Sequence, residues 1–262
     1  MAIASTFDKG LSLLDLFTLE RPQLTLREVS EMSGISKPTA FRLLNTLELK
    51  RYLMRDRSKA YCLGLRFLEL GNCVAERLDI RNIALPYIEE LVHSVDRTVS
   101  LVIKDNADAV YIEKRETGHP VRLYTRVGRR APLYAGACPR ALIAFLPIAE
   151  METIISAFEF HPVTPTTPMT ISELRETIMQ ERKQGYTLSF GELFEGSAAI
   201  GMPIRDYTKA VVGAVSIAGP TSGFISEQLP FLIKALSRCV NSISREMGYL
   251  VAKGEGNVEK VH

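Results

Sequence analysis

The residues best suited to bind a charged partner lie in a basic stretch over residues 36–59. Seven basic side chains face only two acidic ones there, so the stretch carries +5 although the whole chain carries only +2. Such asymmetry is typical of a nucleic-acid-binding head on a near-neutral body. A charged run is equally consistent with a solvated surface, so the elements that carry it must decide. The basic residues are Lys37, Arg42, Lys50, Arg51, Arg55, Arg57 and Lys59.

A second informative stretch covers residues 134–140, where small residues lead into a predicted helix. Pro139 is placed at the first helical position, where a missing N–H costs nothing. The free N–H groups of Ala137 and Cys138, with the helix dipole, would then bind an anion. A tightly packed connection into the helix explains the same pattern, and the residues alone leave both interpretations open. The two arginines that would add positive potential are Arg126 and Arg140.

Catalysis by a cysteine is the enzymatic alternative. Cys138 at a helix N-terminus could have a lowered pKa, with His119 or His161 as the base, but no motif links either histidine to it. The four cysteines lack Cys-x-x-Cys spacing and share no metal-like spacing with the histidines. This pattern predicts reduced cysteines and no metal, cofactor or catalytic residue. The cysteines are Cys62, Cys73, Cys138 and Cys239.

Two short helices joined by a glycine turn are the elements that would position the basic side chains. Thr25 with Glu28 predicts a capping box, and Gly34 suits a left-handed helix end. Ser36 is the predicted N-cap of the next helix, whose slim start suits the major groove. The stripes expected to be buried are Leu26, Val29 and Met32, then Phe41, Leu44, Leu47 and Leu49. The predicted DNA contacts of these helices are Thr25, Arg27, Ser36, Lys37, Pro38, Thr39 and Arg42.

A basic hairpin directly after the recognition helix predicts a wing. Residues 52–55 and 60–63 have the pattern of short strands, with a turn at residues 56–59. Arg55, Arg57 and Lys59 would meet the phosphate backbone or the minor groove. A plain helical hairpin with polar residues facing water explains the helices alone, but it does not explain the wing.

The remainder of the chain has the pattern of an α/β sensor domain, which makes the predicted fold class α+β. The predicted domains are a winged helix-turn-helix at residues 1–64, a linker helix at 65–78 and an effector-binding domain at 79–262. Further helices are expected at residues 139–146, 151–158, 171–184 and 226–251. Strands are expected at 99–103, 109–112, 121–124, 200–204 and 210–218.

Composition limits the class of protein. The 262 residues suit two domains, and 46% hydrophobic with 24% charged residues argues against a disordered chain. The N-terminus lacks the pattern of a signal peptide, and no apolar stretch approaches the roughly 20 residues of a membrane span. We therefore expect a cytoplasmic protein without a membrane partner.

Taken jointly, several motifs make the sequence similar to the IclR family of bacterial transcription regulators over nearly its whole length. Two departures from the family pattern bear on the ligand: Arg205 stands where an aromatic, His or Asn is usual, and Cys138-Pro139-Arg140 replaces Ser-Gly-Lys. The motifs are residues 14–17 (LDLF), 40–44 (AFRLL), 46–48 (TLE), 127–133 (VGRRAPL), 141–147 (ALIAFLP) and 216–220 (SIAGP), with Gly185, Ser189, Glu192, Gly201 and Asp206 at matching intervals.

The resemblance implies a GAF-like sensor domain and a small carboxylic-acid effector that modulates DNA binding. One helix-turn-helix buries too little surface for tight specific binding, so a homodimer or dimer of dimers on a near-palindromic operator is expected. An architectural DNA protein without a ligand is the third alternative, but it needs no such large body. The implied effector-binding residues are Leu123, Ala137, Cys138, Ser189, Ala199, Ser216 and Ala218.

Two of these positions suggest the kind of acid. Ala199 and Ala218 stand where relatives that sense very small oxo-acids carry polar side chains. An alanine side chain offers no hydrogen bond, and a stranded ligand oxygen costs about 1–3 kcal/mol. The sequence therefore predicts an effector with a larger, less polar tail, such as an aromatic ring, against Leu123 and the two alanines.

Overall fold

The computed structural model describes residues 5–18, 20–76, 79–116 and 126–249. The chain divides into two compact units, residues 1–77 and 78–262. The predicted strand at residues 121–124, His119 and Leu123 lie outside the described residues. Within the described ranges, no helix is both long enough and apolar enough to cross a membrane.

The first unit is a helix-turn-helix with a wing, as predicted. Its small sheet has the order β1–β3–β2, and both pairs are antiparallel. The elements in chain order are α1 (Ser5–Leu14), β1 (Gln23–Leu24), α2 (Leu26–Ser33), α3 (Lys37–Leu49), β2 (Leu53–Arg55), β3 (Tyr61–Leu63) and α4 (Arg66–Glu76).

The turn between α2 and α3 follows from its capping residues. The predicted capping box is confirmed: the Glu28 N–H donates to Thr25 Oγ1 at 3.3 Å, and the Thr25 N–H donates to Glu28 Oε2 at 2.7 Å. Gly34 ends α2 with a left-handed φ of 69°. Ser36 occupies the N-cap position of α3, but its hydroxyl donates to Thr39 Oγ1 and caps no backbone N–H.

The buried face of α3 differs in part from the predicted stripe. Ala40 and Leu44 are fully buried, whereas Phe41 is exposed and Leu49 is 80% exposed. Successive residues of a helix are turned by about 100°, so a face centred on Ala40 and Leu44 leaves Phe41 outside. Met32 of α2 is also exposed, which leaves Val29 as the buried residue of that helix.

The second unit is built on a six-stranded antiparallel sheet with the order β6–β5–β4–β9–β8–β7. The predicted α+β class is confirmed, but the short strands β6 and β7 were missed because three or four residues give little periodicity. Its elements are α5 (Asp79–Val95), β4 (Thr98–Asp105), β5 (Asp108–Arg115), β6 (Arg130–Pro132), α6 (Ala137–Ala144), α7 (Ile148–Ser156), α8 (Ile171–Gln184), β7 (Thr187–Phe190), β8 (Ser197–Arg205), β9 (Val211–Pro220) and α9 (Leu229–Glu246).

Helices cover both faces of this sheet. One core joins α5 and α9 to the sheet through residues such as Ile88, Leu236 and Ile217. The other core joins α6, α7 and α8 to the opposite face, and every residue of α6 is buried. The start of α6 lies so close to β8 that a Cβ on Gly201 would be 2.8 Å from the carbonyl oxygen of Ala137. Helix α6 is therefore fixed directly against the sheet.

Candidate functional site

The predicted DNA contacts at the start of α3 lie on the protein surface. Ser36, Lys37, Pro38, Thr39 and Arg42 are all exposed. Arg42 lies one turn beyond Pro38 and Thr39 on the same side of the helix. Neither Lys37 nor Arg42 forms an ion pair with a described residue. This end of α3 is therefore free to approach a duplex.

The wing presents two more cations at its tip. Arg57 and Lys59 are exposed in the turn between β2 and β3. Asp56 organises this turn, because its Oδ1 accepts hydrogen bonds from the N–H groups of Ser58 and Ala60, each at 2.9 Å. The backbone of Lys59 is left-handed, with φ of 67°.

Other residues of the predicted DNA set are engaged within the head. Arg55 donates to Glu48 Oε2 at 3.0 Å and to Asn45 Oδ1 at 2.8 Å, and its guanidinium lies 4.7 Å from the Tyr61 ring centroid. Thr25 is used in the capping box. Arg27 is exposed and pairs with Glu31 of the same helix at 2.7 Å. The structure thus ties Arg55 to the head and leaves Arg57 and Lys59 as the outward cations of the wing.

In the second unit, a cavity of about 40 Å³ lies where α6 begins above β4, β7, β8 and β9. Six of the seven residues predicted to contact an effector line it, and Leu123 is outside the described residues. These six are Ala137, Cys138, Ser189, Ala199, Ser216 and Ala218.

The strand register explains why residues so far apart in sequence meet there. Ser189 of β7 lies opposite Ala199 of β8, which lies opposite Ala218 of β9. In the next row, Ser216 of β9 lies opposite Ser100 of β4. Directly opposite residues point to the same face of a sheet, so these rows form one floor below α6.

The first turn of α6 supplies backbone donors to this cavity. Gly136 has φ of 84°, a conformation that favours glycine, and a Cβ there would lie 2.5 Å from Leu193 Cδ1 and force that side chain to shift. Its N–H donates to Glu192 Oε2 at 2.8 Å. The next two N–H groups, of Ala137 and Cys138, have no acceptor among the described residues. The helix begins two residues earlier than predicted, so Pro139 is its third residue.

Two family models match this chain and together span most of it. Residues 6–57 match the IclR helix-turn-helix domain, and residues 72–245 match the C-terminal domain of bacterial transcriptional regulators of the IclR type. The chain belongs to the IclR family. It is thus a transcriptional regulator with a helix-turn-helix DNA-binding domain and an IclR effector-binding domain, and its relatives are regulators, not enzymes.

Individual IclR-family relatives match over nearly the whole chain. HTH-type transcriptional regulator KipR of Bacillus subtilis (strain 168) is 43% identical over 244 residues, which cover 93% of this chain and 97% of KipR. The crystal structure of Thermotoga maritima IclR has a TM-score of 0.79 at 29% identity, covering 94% of this chain and 100% of that one. An IclR homologue from Microbacterium hydrocarbonoxydans, crystallised with 4-hydroxybenzoate, shares the fold at 22% identity, with a TM-score of 0.79 and coverage of 93% and 99%.

Arg140 of this IclR-family chain does not act as the free cation that the sequence predicted. It is completely buried, with Nε 2.9 Å from Glu181 Oε1 and Nη1 2.5 Å from Glu192 Oε2. Burial lowers the pKa of Arg140, but the two carboxylates outweigh this effect and raise that pKa above its ordinary value. Burial also raises the pKa of Glu181. The charge of Arg140 is thus compensated inside the protein.

The cavity wall is more polar than the sequence indicated. The hydroxyl groups of Ser100, Tyr111 and Ser189 make no hydrogen bond to another described residue. The sequence did contain a signal for Ser100, because it is a polar residue within the apolar run of β4. The wall residues that sequence reasoning missed are Ser100, Tyr111, Gly136, Leu193, Phe194, Ser197 and Ala198.

Cys138 lacks the environment of a nucleophile. Burial raises the pKa of its thiol to about 12, and its Sγ lies 3.6 Å from the carbonyl oxygen of Ala214. His161 does not line the cavity. Its backbone N–H and carbonyl oxygen both form hydrogen bonds with the Tyr134 hydroxyl group. Among the described residues, no three His, Cys, Asp or Glu side chains cluster in a way that could hold a metal ion.

Proposed function

We propose that this IclR-family regulator binds a near-palindromic operator as a homodimer or dimer of dimers in the cytoplasm, and that a small carboxylic acid in the α6 cavity modulates this binding. The observation that carries the effector proposal is the pair of unpartnered N–H groups, of Ala137 and Cys138, beside a cavity with free hydroxyl groups. Cations at the start of α3 and the tip of the wing support the DNA part.

Exposed apolar side chains in the head support a dimer. Phe7 and Leu11 of α1 are 69% and 48% exposed, and Leu65, just before α4, and Leu68, within it, are 68% and 64% exposed. Within each pair the two side chains lie three or four residues apart, which places them on one side of the chain, and exposed apolar patches favour a protein partner. A symmetric pair of heads would read two half-sites one helical turn, or a multiple of one turn, apart. Footprinting should show two related half-sites on one duplex. Protection of one unrepeated half-site by a monomer would contradict the dimer.

A carboxylate suits the start of α6 for electrostatic reasons. The free N–H groups and the positive end of the helix dipole both favour a negative charge there. The Microbacterium hydrocarbonoxydans homologue, crystallised with 4-hydroxybenzoate, supports an organic acid as ligand for this fold. Pockets that hold small-molecule ligands usually have volumes of about 300–1,000 Å³, so a cavity of about 40 Å³ must widen to admit such an acid.

Thermal unfolding of the full chain in the presence of carboxylic acids tests the effector proposal. An acid that binds only the folded state raises the apparent melting temperature, and the same acid should change the affinity for operator DNA. Glyoxylate, pyruvate and benzoate-type acids form the first panel. Recovery of the acid unchanged separates a sensor from an enzyme.

A matched pair of variants locates the site. Ala199→Val adds two methyl groups at the cavity floor and should abolish the acid-induced shift while DNA binding without acid persists. Ala210→Val, at an exposed position, should leave the shift unchanged. If no acid in a broad panel shifts the melting temperature, or if Ala199→Val leaves a shift intact, the effector site is misassigned.

A further inference from the structure

Arg129 lies against two aromatic residues of the cavity wall. Its guanidinium carbon is 4.3 Å from the ring centroid of Phe194 and 6.0 Å from that of Tyr111. Both rings line the cavity at the start of α6. The backbone fixes this placement, because the Tyr111 N–H donates to the Arg129 carbonyl oxygen at 3.0 Å. The Phe194 and Tyr111 side chains therefore lie between the Arg129 guanidinium and the cavity.

The charge of Arg129 has no anionic partner among the described residues. Its Nη1 atom is buried without a hydrogen-bond partner, and it forms no ion pair with any of them. Residues 117–125 contain no Asp or Glu. Burial lowers the pKa of Arg129, Tyr111 raises it and Arg126 lowers it further. No described carboxylate is among the groups that shift this pKa. The next residue, Arg130, pairs instead with Asp105 and Asp108 at the surface.

A partly buried, uncompensated guanidinium is costly to keep. Desolvation disfavours the charge unless an anion and hydrogen bonds replace the lost water, and ring stacking recovers only part of that cost. Arg140, in the same unit, shows the alternative, because two carboxylates surround it. Arg129 is unpaired among the described residues and lies beside a ligand cavity, which indicates a partner that arrives with the ligand.

We propose that Arg129 is a second anion-binding residue of the effector site and that the effector is a dicarboxylate. One carboxylate would accept hydrogen bonds from the N–H groups of Ala137 and Cys138, and the other would pair with Arg129 through Nη1. This inference rests on the proposed effector function. Phe194 must shift as the cavity widens, and it belongs to a segment flanked by Gly191 and Gly196, which both have positive φ. The hydroxyl groups of Ser100, Ser189 and Tyr111 would bond the remaining carboxylate oxygens.

Calorimetry with size-matched acids tests this inference. The pairs are succinate and butyrate, glutarate and valerate, and phthalate and benzoate. In the wild-type protein, at least one dicarboxylate should bind about tenfold or more tightly than its monocarboxylate partner, because a charge-assisted bond is added. Arg129→Met should remove this preference and leave the monocarboxylate affinity nearly unchanged. Arg130→Met, the control, should keep the preference.

The stability of the free protein gives a second readout. Arg129→Met removes an uncompensated charge, so without ligand it should melt no lower than the wild-type protein. Arg129→Lys keeps the charge without the planar fork and should retain part of the preference. Equal binding of the members of each pair, or a preference that survives in Arg129→Met, overturns the role of Arg129 but leaves the effector site standing. Absence of binding by every acid, mono- or dicarboxylate, overturns the effector function as well.

Discussion

Arg140 donates a hydrogen bond from Nη1 to Glu192 Oε2 across 2.5 Å, and both side chains are buried. The same carboxylate oxygen accepts the N–H of Gly136 at the start of α6. The pair therefore joins the middle and the first turn of α6 to the segment that carries the wall residues Leu193 and Phe194. The first turn of α6, whose N–H groups border the cavity, is thus held in place by a buried ion pair.

Loss of the Arg140 cation should be strongly destabilising. Arg140→Met leaves Glu181 and Glu192 buried without their partner, and removing one member of a buried pair costs about 3–5 kcal/mol. Urea unfolding of the full chain measures this cost. Arg175→Met is the matched control, because its pair with Glu152 lies at the surface and should be worth about 1 kcal/mol or less. Equal losses in the two variants would show that burial of the Arg140 pair is energetically unimportant.

The raised pKa of Glu181 should appear in the pH dependence of stability. A carboxyl whose pKa is higher in the folded state than its ordinary 4.5 binds protons more readily when folded. The contribution of Glu181 to stability is complete below the pKa that this carboxyl has in the unfolded chain. It is lost as the pH rises through the pKa that the carboxyl has in the folded protein. Between pH 7 and pH 4.5, wild-type stability should therefore improve relative to that of Glu181→Gln as the pH falls. Parallel stability curves for the two proteins would contradict the shift.

Cys138 should be inert to alkylation in the folded protein. With a pKa of about 12, its thiol stays protonated at pH 8, and the residue is buried, whereas Cys73 is exposed. Iodoacetamide at pH 8, followed by peptide mass spectrometry, should label Cys73 and leave Cys138 unlabelled until the chain is unfolded. Labelling of Cys138 at the rate of Cys73 would revive the cysteine-catalysis alternative.

The basic residues of the head should separate into three groups. Arg57→Ala should weaken binding to all DNA sequences alike. It should also make the plot of log binding constant against log salt concentration shallower by about one unit of slope. Arg42→Ala, on the exposed side of α3 that we propose enters the groove, should change the preference between operator variants. Arg55→Ala should mainly lower the thermal stability of the head, because it breaks the contacts with Glu48 and Asn45.

Titrations of operator variants at several salt concentrations measure the first two effects, and scanning calorimetry measures the third. A stability loss in Arg57→Ala as large as that in Arg55→Ala would contradict this division. Arg42→Ala and Arg57→Ala with identical sequence preference would contradict it as well.

Local residue patterns determined much of the architecture. The capping box of Thr25 and Glu28 and the left-handed Gly34 followed from sequence because each depends on neighbours within a few residues. The bounds of α8, predicted at residues 171–184, followed for the same reason, since a long amphipathic helix has clear periodicity. The motifs of the family also indicated Ala137, Cys138, Ser189, Ala199, Ser216 and Ala218 as a set.

Only the tertiary structure decided which of these side chains are paired and which remain free. Arg140 and Arg129 are both arginines near the cavity, yet Glu181 and Glu192 neutralise one, while no described carboxylate reaches the other. Ser100 and Tyr111 join the wall because β4 and β5 fold beneath α6, and nothing near them in sequence marks this. Electrostatic compensation and cavity walls depend on residues separated by tens of positions along the chain, so their outcome is set by packing and strand register, not by local pattern.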